Sequence, residues 1–148
     1  MEIEEREWSE LSFDYYSTDY NIRYSYRPDR GWSEMQLSED EFLPVPLAAA
    51  CLHYGSSLFE GLKAFRGADG KIRIFRLEDT VERLQSSARR LCLPVPTRMM
   101  IIEACTEVVR KNLRHLPPYG TGAAMYLRPV EIGTSTSFGV TPSANALF

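Results

Sequence analysis

The stretch LKAFRGADGKIRIFRLEDTVERLQSSARRLCLP, residues 62–94, decides the fold class, because two different periodicities meet inside it. Leu62 to Arg66 and Lys71 to Arg76 are short apolar arms around Gly67-Ala68-Asp69-Gly70, and Ile72 and Ile74 alternate with Arg73. This spacing predicts paired strands over 62–66 and 71–76. Beyond Arg76 the period changes. Leu77, Val81, Leu84, Ala88 and Leu91 fall at helical spacing, with Glu78, Asp79 and Glu82 early and Arg89 and Arg90 late, a charge order that complements the helix dipole. Pro94 and Pro96 stop the helix.

Working outward, Thr97 is placed as the N-cap of a second helix whose apolar stripe is Ile101, Ala104, Cys105, Val108 and Val109, ending before Pro117-Pro118. Downstream, Gly120 to Gly122 reads as a loop, Ala123 to Ile132 as one long strand, and Gly133 to Gly139 as a polar loop. Ala144 to Phe148 reads as the start of a strand, with nothing after it to finish the element and an unpaired edge to be expected. Upstream, Tyr20, Ile22, Tyr24 and Tyr26 alternate with polar residues as a strand does. The turn Arg27-Pro28-Asp29-Arg30-Gly31 closes it, and Trp32 to Leu37 is the return arm. Ser38 to Pro46, with three acids and two prolines, is expected to be an exposed connection. The first nineteen residues are acidic and aromatic without periodicity. Strands, two tandem helices and strands again predict an α+β fold, a largely antiparallel sheet with both helices packed on one side.

Composition narrows the function. A chain of 148 residues is one domain by size, and 44% hydrophobic with 25% charged residues excludes disordered, collagen-like and coiled-coil classes. A net charge of −3 supplies no cationic field for nucleic acid. Met1 to Glu10 is acidic where a secretory signal is basic, and no apolar run is long enough to span a bilayer, so a cytoplasmic location is expected. Cys51, Cys92 and Cys105 form no CxxC pair and are expected to be buried thiols. His53 and His115 are the only histidines, so no metal site is expected. Motifs for phosphate loops, dinucleotides, zinc proteases and serine hydrolases are missing. Of 17 basic residues only Lys63, Lys71 and Lys111 are lysines. The rest are arginines, which bind carboxylates and phosphates with a planar fork but do not attack carbonyls.

Two segments carry candidate chemistry. In Cys51 to Phe65, Gly55 and Gly61 let backbone approach something flat or charged, while Tyr54 and Phe59 supply walls and a hydroxyl. Aromatic residues beside a turn equally fit a core. In Met125-Tyr126-Leu127-Arg128-Pro129, alternation puts Tyr126 and Arg128 on one sheet face, where they could bind a carboxylate or form a solvated edge.

Taken together, HYGSSLFEGLKAF (53–65), RLEDTVERLQSSARRLCLP (76–94) and AMYLRPVEIGTSTSFGV (124–140) resemble, in this order, the branched-chain amino acid aminotransferases, fold-type IV enzymes that use pyridoxal phosphate. The resemblance is close over residues 50–148 and implies that 1–148 is the family's single N-terminal small domain. A larger catalytic domain, which carries the Schiff-base lysine, would then be absent. It implies amino-group transfer between leucine, isoleucine or valine and 2-oxoglutarate in the parent enzyme, a homo-oligomer, and an inactive fragment that does not itself bind the cofactor. By the same resemblance Arg83 contacts the cofactor phosphate. Tyr126, Arg128, Phe59 and Tyr54 line the substrate side-chain pocket, Tyr54 from the neighbouring subunit, and none of these residues is catalytic. Thr80 stands where the family often has histidine or asparagine. Phe138 and Val140 match a loop near the partner's active site, with Phe138 in place of the usual leucine or methionine. Lys63 is not the Schiff-base residue. An exposed apolar face and self-association are expected. The small domains of D-amino acid aminotransferases and aminodeoxychorismate lyases share part of the pattern, although LKAFRG and YLRPVEIG favour the branched-chain group. A binding or assembly module without catalysis is the remaining reading.

Overall fold

A computed structural model describes Trp8 and residues 14–148; the expectations for residues 1–7 and 9–13 lie outside the described residues. The elements run β1 (Asn21–Arg23), β2 (Ser25–Arg27), β3 (Gly31–Trp32), β4 (Gln36–Ser38), α1 (Ala50–Tyr54), β5 (Ser57–Phe59), β6 (Leu62–Arg66) and β7 (Ile72–Ile74). They continue with α2 (Leu77–Arg90), α3 (Arg98–Lys111), a 3-10 turn at Leu113–His115, β8 (Met125–Leu127), β9 (Val130–Gly133) and β10 (Ala146–Leu147). Every pairing is antiparallel, in sheets ordered β1-β4, β3-β2-β10-β9-β5 and β7-β6-β8.

The hairpin of residues 62–76 forms as its pattern requires, with Ala64 opposite Ile74, Phe65 opposite Arg73 and Arg66 opposite Ile72. Its loop closes by Gly67 N–H donating to Lys71 O at 2.8 Å. Period-two burial turns Leu62 and Ala64 inward and Lys63 and Phe65 outward. α2 then buries Thr80, Val81, Leu84 and Ala88, while Leu91, the last residue of its apolar stripe, lies exposed at the C-cap. Thr97 caps α3 by accepting from Met100 N–H at 3.2 Å, and Ile101, Cys105 and Val109 are buried. These helix residues meet Leu58, Leu62, Ala64 and Leu127 of the strands in one core. Each fully buried aliphatic side chain there contributes roughly 1.5–3 kcal/mol of transfer free energy.

Three strand expectations and the burial expected of the cysteines are corrected. The strand read over Tyr20 to Tyr26 divides at Tyr24 into β1 and β2, which enter different sheets, and its return arm divides likewise into β3 and β4. The long strand read over Ala123 to Ile132 breaks at Arg128-Pro129, because Pro129 has no N–H for a ladder and its carbonyl is taken by Glu60 N–H at 2.9 Å. The final strand presents no free edge: β10 is central, with Ala146 opposite both Tyr26 and Gly133, and Phe148 and Tyr24 exchange backbone bonds of 2.9 and 2.7 Å. Of the cysteines only Cys105 is fully buried, and desolvation pushes its thiol up to about 12. Cys51 is half-buried and Cys92 exposed. Among the described residues no helix is long and apolar enough to cross a membrane, and no cluster of ligands could hold a metal.

Candidate functional site

Two antiparallel segments, Ser57–Arg66 and Met125–Gly133, run side by side and both change sheets at the same level. β5 pairs with β9, placing Phe59 opposite Val130, and β6 pairs with β8, placing Leu62 opposite Leu127. Between these pairs Glu60-Gly61 faces Arg128-Pro129, and the Glu60 N–H to Pro129 O bond bridges the gap. The register is the same on both sides of the gap, so Phe59, Gly61, Tyr126 and Arg128 lie on one face.

Arg128, just past β8, lays its guanidinium over the Phe59 ring at 4.2 Å and lies 5.2 Å from the Tyr126 ring. Its Nε–H donates to the Tyr126 hydroxyl at 3.2 Å, so the shared face expected from alternation is realised. Phe59 and Tyr126 are both exposed, and among the described residues no carboxylate pairs with Arg128. The result is a cation framed by two aromatic faces and open to solvent, suited to an anionic or flat ligand. Gly61 makes the approach possible: a Cβ there would sit 2.2 Å from the Tyr126 Oη. Gly61→Ala is therefore expected to swing the Tyr126 ring away and break its bond to Arg128, at a stability cost of about 1 kcal/mol or less because the ring can move into solvent. Side-chain NMR shifts of Tyr126 and Arg128, recorded beside a denaturation curve, check both parts.

Arg83 reaches the same junction from α2. Its Nη2 lies 2.7 Å from Glu60 Oε2, and its Nε is 3.2 Å from both carboxylate oxygens. That pairing raises the Arg83 pKa above its ordinary value. Thr80, buried one turn earlier, donates its hydroxyl to Arg76 O at 3.2 Å and accepts from Arg83 Nη2 at 3.5 Å. Threonine thus gives the arginine only a long contact, and its hydroxyl proton goes to the helix backbone. Sequence reasoning assigns Glu60 no role; the available signal is an acid set between Phe59 and Gly61 in a largely apolar motif.

Tyr54 joins a second cluster. α1 ends on Gly55 at φ +62°, a left-handed cap that favours glycine, and this places Tyr54 so that its hydroxyl donates to Phe138 O. His53 packs edge-on to Phe138 at 5.2 Å, its Nε2 2.8 Å from Leu47 O. Leu47, Leu52, Phe138 and Val140 are all exposed around it. Phe59, Tyr126 and Arg128 are thus brought together and Arg83 joined to them through Glu60, whereas Tyr54 lies with Phe138. None of these residues lines two concavities found elsewhere, a groove of about 410 Å³ at Ile72, Leu77 and Val109 and a hollow of about 290 Å³ at Arg27 and Trp32. The junction owes its interest to side-chain chemistry, not enclosure. Lys63 is exposed and opposite Tyr126 in the β6–β8 register.

No protein-family model matches the chain. Curated relatives do: the branched-chain-amino-acid aminotransferase of Haemophilus influenzae is 41% identical over 147 residues, 99% of this chain and 42% of that protein. The enzyme of the same name from Helicobacter pylori is 38% identical over 146 residues, 99% of this chain and 43% of that protein. Among solved structures, a branched-chain amino acid aminotransferase complexed with N-(5'-phosphopyridoxyl)-L-glutamate shares 27% identity with a TM-score of 0.63, covering 88% of this chain and 40% of that one. The Thermoproteus uzoniensis branched-chain aminotransferase with norvaline gives 26% and 0.62, covering 87% and 40%. The chain spans less than half the length of these relatives. Sequence similarity along nearly all of its residues and a fold shared with solved members place the chain in the branched-chain amino acid aminotransferase family, over less than half of those proteins' length.

Proposed function

We propose that the chain is the N-terminal small domain of an enzyme that moves an amino group between leucine, isoleucine or valine and 2-oxoglutarate. The observation that carries this reading is the convergence of Phe59, Tyr126 and Arg128 at the sheet junction, beside the Glu60–Arg83 pair. Such a pocket must accept an aliphatic side chain in one half-reaction and a distal carboxylate in the other. Phe59 and the Tyr126 ring offer apolar wall, and Arg128 with the Tyr126 hydroxyl offers donors that bind the carboxylate or stay hydrated.

Pyridoxal phosphate, when bound, supplies the electron sink for the transfer. The donor set suits its phosphate: Arg83 is a fixed fork donor, and among its described bonds Nη1 is not used. Solved relatives bind pyridoxamine 5'-phosphate and a phosphopyridoxyl glutamate. The work of this chain is to hold the phosphate through Arg83 and shape the side-chain pocket. It contributes no catalytic group, and the lysine that attaches the cofactor belongs to the larger domain, so the fragment alone is inactive. The reading extends to a cytoplasmic homo-oligomer in which Tyr54 serves the neighbouring subunit's pocket, a role supported by the exposed apolar surface of Leu47, Leu52, Phe138 and Val140 around it.

The complete protein should turn over leucine with 2-oxoglutarate in preference to D-alanine or aminodeoxychorismate. Arg128→Met should raise KM for 2-oxoglutarate and glutamate at least tenfold while changing that for leucine about twofold or less, since only the dicarboxylates use the guanidinium. Preference for D-alanine, formation of aminobenzoate from aminodeoxychorismate, or an equal effect of Arg128→Met on all substrates would overturn the proposal.

A further inference from the structure

We propose that Glu60 is the positioning residue for Arg83: it holds one edge of the guanidinium so that the other edge is presented to a phosphate monoester. This deepens the reading of Arg83 as the phosphate anchor and rests on it. Glu60 occupies Arg83 Nε and Nη2 through three contacts of 2.7 to 3.2 Å, leaving the two N–H groups of Nη1 as donors. The carboxylate is the held partner and the cation the projecting one, their side chains being 14% and 54% exposed. Glu60 is itself fixed from three directions. Its backbone N–H is bound to Pro129 O at 2.9 Å, its successor Gly61 abuts Tyr126, and Arg83 closes the third side. Thr80 takes a long contact of 3.5 Å from Nη2 and adds little to this orientation.

Two opposing effects follow from placing a carboxylate beside a phosphate site. Its negative charge repels the incoming dianion, which weakens binding. Its hydrogen bonds order a long side chain in advance, which strengthens binding by removing an entropic cost of association. Glu60 lies on the edge of the guanidinium remote from Nη1, where repulsion acts at greater distance and through solvent, whereas the ordering acts on the donor itself. Positioning is therefore the larger effect, and the sign of a charge-removing substitution distinguishes the two.

The test is the dissociation constant of pyridoxamine 5'-phosphate and of unphosphorylated pyridoxamine, read by absorbance and fluorescence, in the complete aminotransferase and in its Glu60→Gln, Glu60→Asp and Arg83→Lys variants. Glu60→Gln should weaken pyridoxamine 5'-phosphate binding about fivefold or more and leave pyridoxamine within twofold. Glu60→Asp, which keeps the charge but loses reach, should move in the same direction and serves if the glutamine variant fails to fold. In the chain itself, the Arg83 Nε–H should give an exchange-protected NMR signal that is lost in either Glu60 variant. Tighter phosphate binding in Glu60→Gln, equal loss for both ligands, or an Arg83 signal unprotected in the native chain would overturn the positioning role. An unchanged affinity in Arg83→Lys would instead overturn the anchor reading beneath it.

Discussion

Glu131→Leu should stabilise the domain above pH 8 by about 3–5 kcal/mol and flatten its stability profile between pH 5 and 8. Glu131 lies on β9 with a neighbour strand on each side, opposite Leu58 of the core, and its residue is 0% exposed. Neither carboxylate oxygen has a hydrogen-bond partner among the described residues. Desolvation therefore raises its pKa to about 8, from an ordinary value of 4.5. The sign follows from proton counting. Between those values the folded chain keeps a proton that the unfolded chain releases, so stability is greatest on the acid side and falls as pH rises, by about 1.4 kcal/mol per unit. The window is clear of the acids held below their usual range, Asp19 by Arg114, Asp69 by Arg73 and Glu107 by Arg110, which titrate only at more acid pH. Leucine removes both the titration and the buried polar atoms. Glutamine removes only the titration and leaves an amide without partners, so Glu131→Gln should gain less at pH 9 and lose about 1 kcal/mol at pH 5. Urea unfolding at pH 5, 7 and 9 decides the matter. A native profile that is level or rising from pH 5 to 8 sinks the account.

The second large effect is expected at Asn112. This buried amide follows α3 and makes three bonds: Nδ2–H to Val108 O at 2.7 Å and to Tyr20 O at 2.9 Å, and Oδ1 from Tyr20 N–H at 3.0 Å. One side chain thus closes the helix end and clamps the residue before β1 against it. Asn112→Ala leaves these backbone groups to find other partners and should cost about 2–3 kcal/mol. Asn112→Asp is worse, about 3–5 kcal/mol at neutral pH, because a carboxylate cannot donate to the two carbonyls and is buried unpaired. Both variants should speed amide exchange in β1 and β4, which pair with each other and lean on α3 through β1. A cost below about 0.5 kcal/mol, or unchanged exchange in β1, would show that Tyr20 is held by something else.

Both residues mark where local pattern stops being informative. The alternation that sets Tyr126 and Arg128 on one face of MYLRPVEIG sets Leu127 and Glu131 on the other, but it does not tell that this second face is closed to water at an acid. The pairing keeps one register across the break at Pro129, Leu62 opposite Leu127 and Leu58 opposite Glu131, so Glu131 stays on the face of Leu127, which the core covers. Asn112 reads as an ordinary helix end. Its partner is 92 residues away, and no periodicity connects them.

The site divides in the same way. Tyr126 and Arg128 share a face because alternation is a property of any extended chain, and the bond between them is the direct consequence. Phe59 joins them only because two distant segments pair in one register that sets it on the same face, and Glu60 meets Arg83 only because α2 packs over β5. The family resemblance named Arg83 without revealing what orients it. Tyr54, named with the others, belongs in this chain to the cluster at Phe138, since α1, absent from the periodicity, turns it there.

What the residues determine by themselves is short in range: the 62–76 hairpin from its glycine-bounded loop, α2 and α3 from their 3.6-residue stripes and the Thr97 cap, and the α+β class from their order. The tertiary structure alone decided that strands read as continuous divide between sheets and that the final strand is central. It also decided that an acid is buried and that Glu60 and Arg83 meet. Each of these depends on pairing between segments far apart in sequence, where the cost of closing the loop is repaid only once the whole sheet and its core have formed.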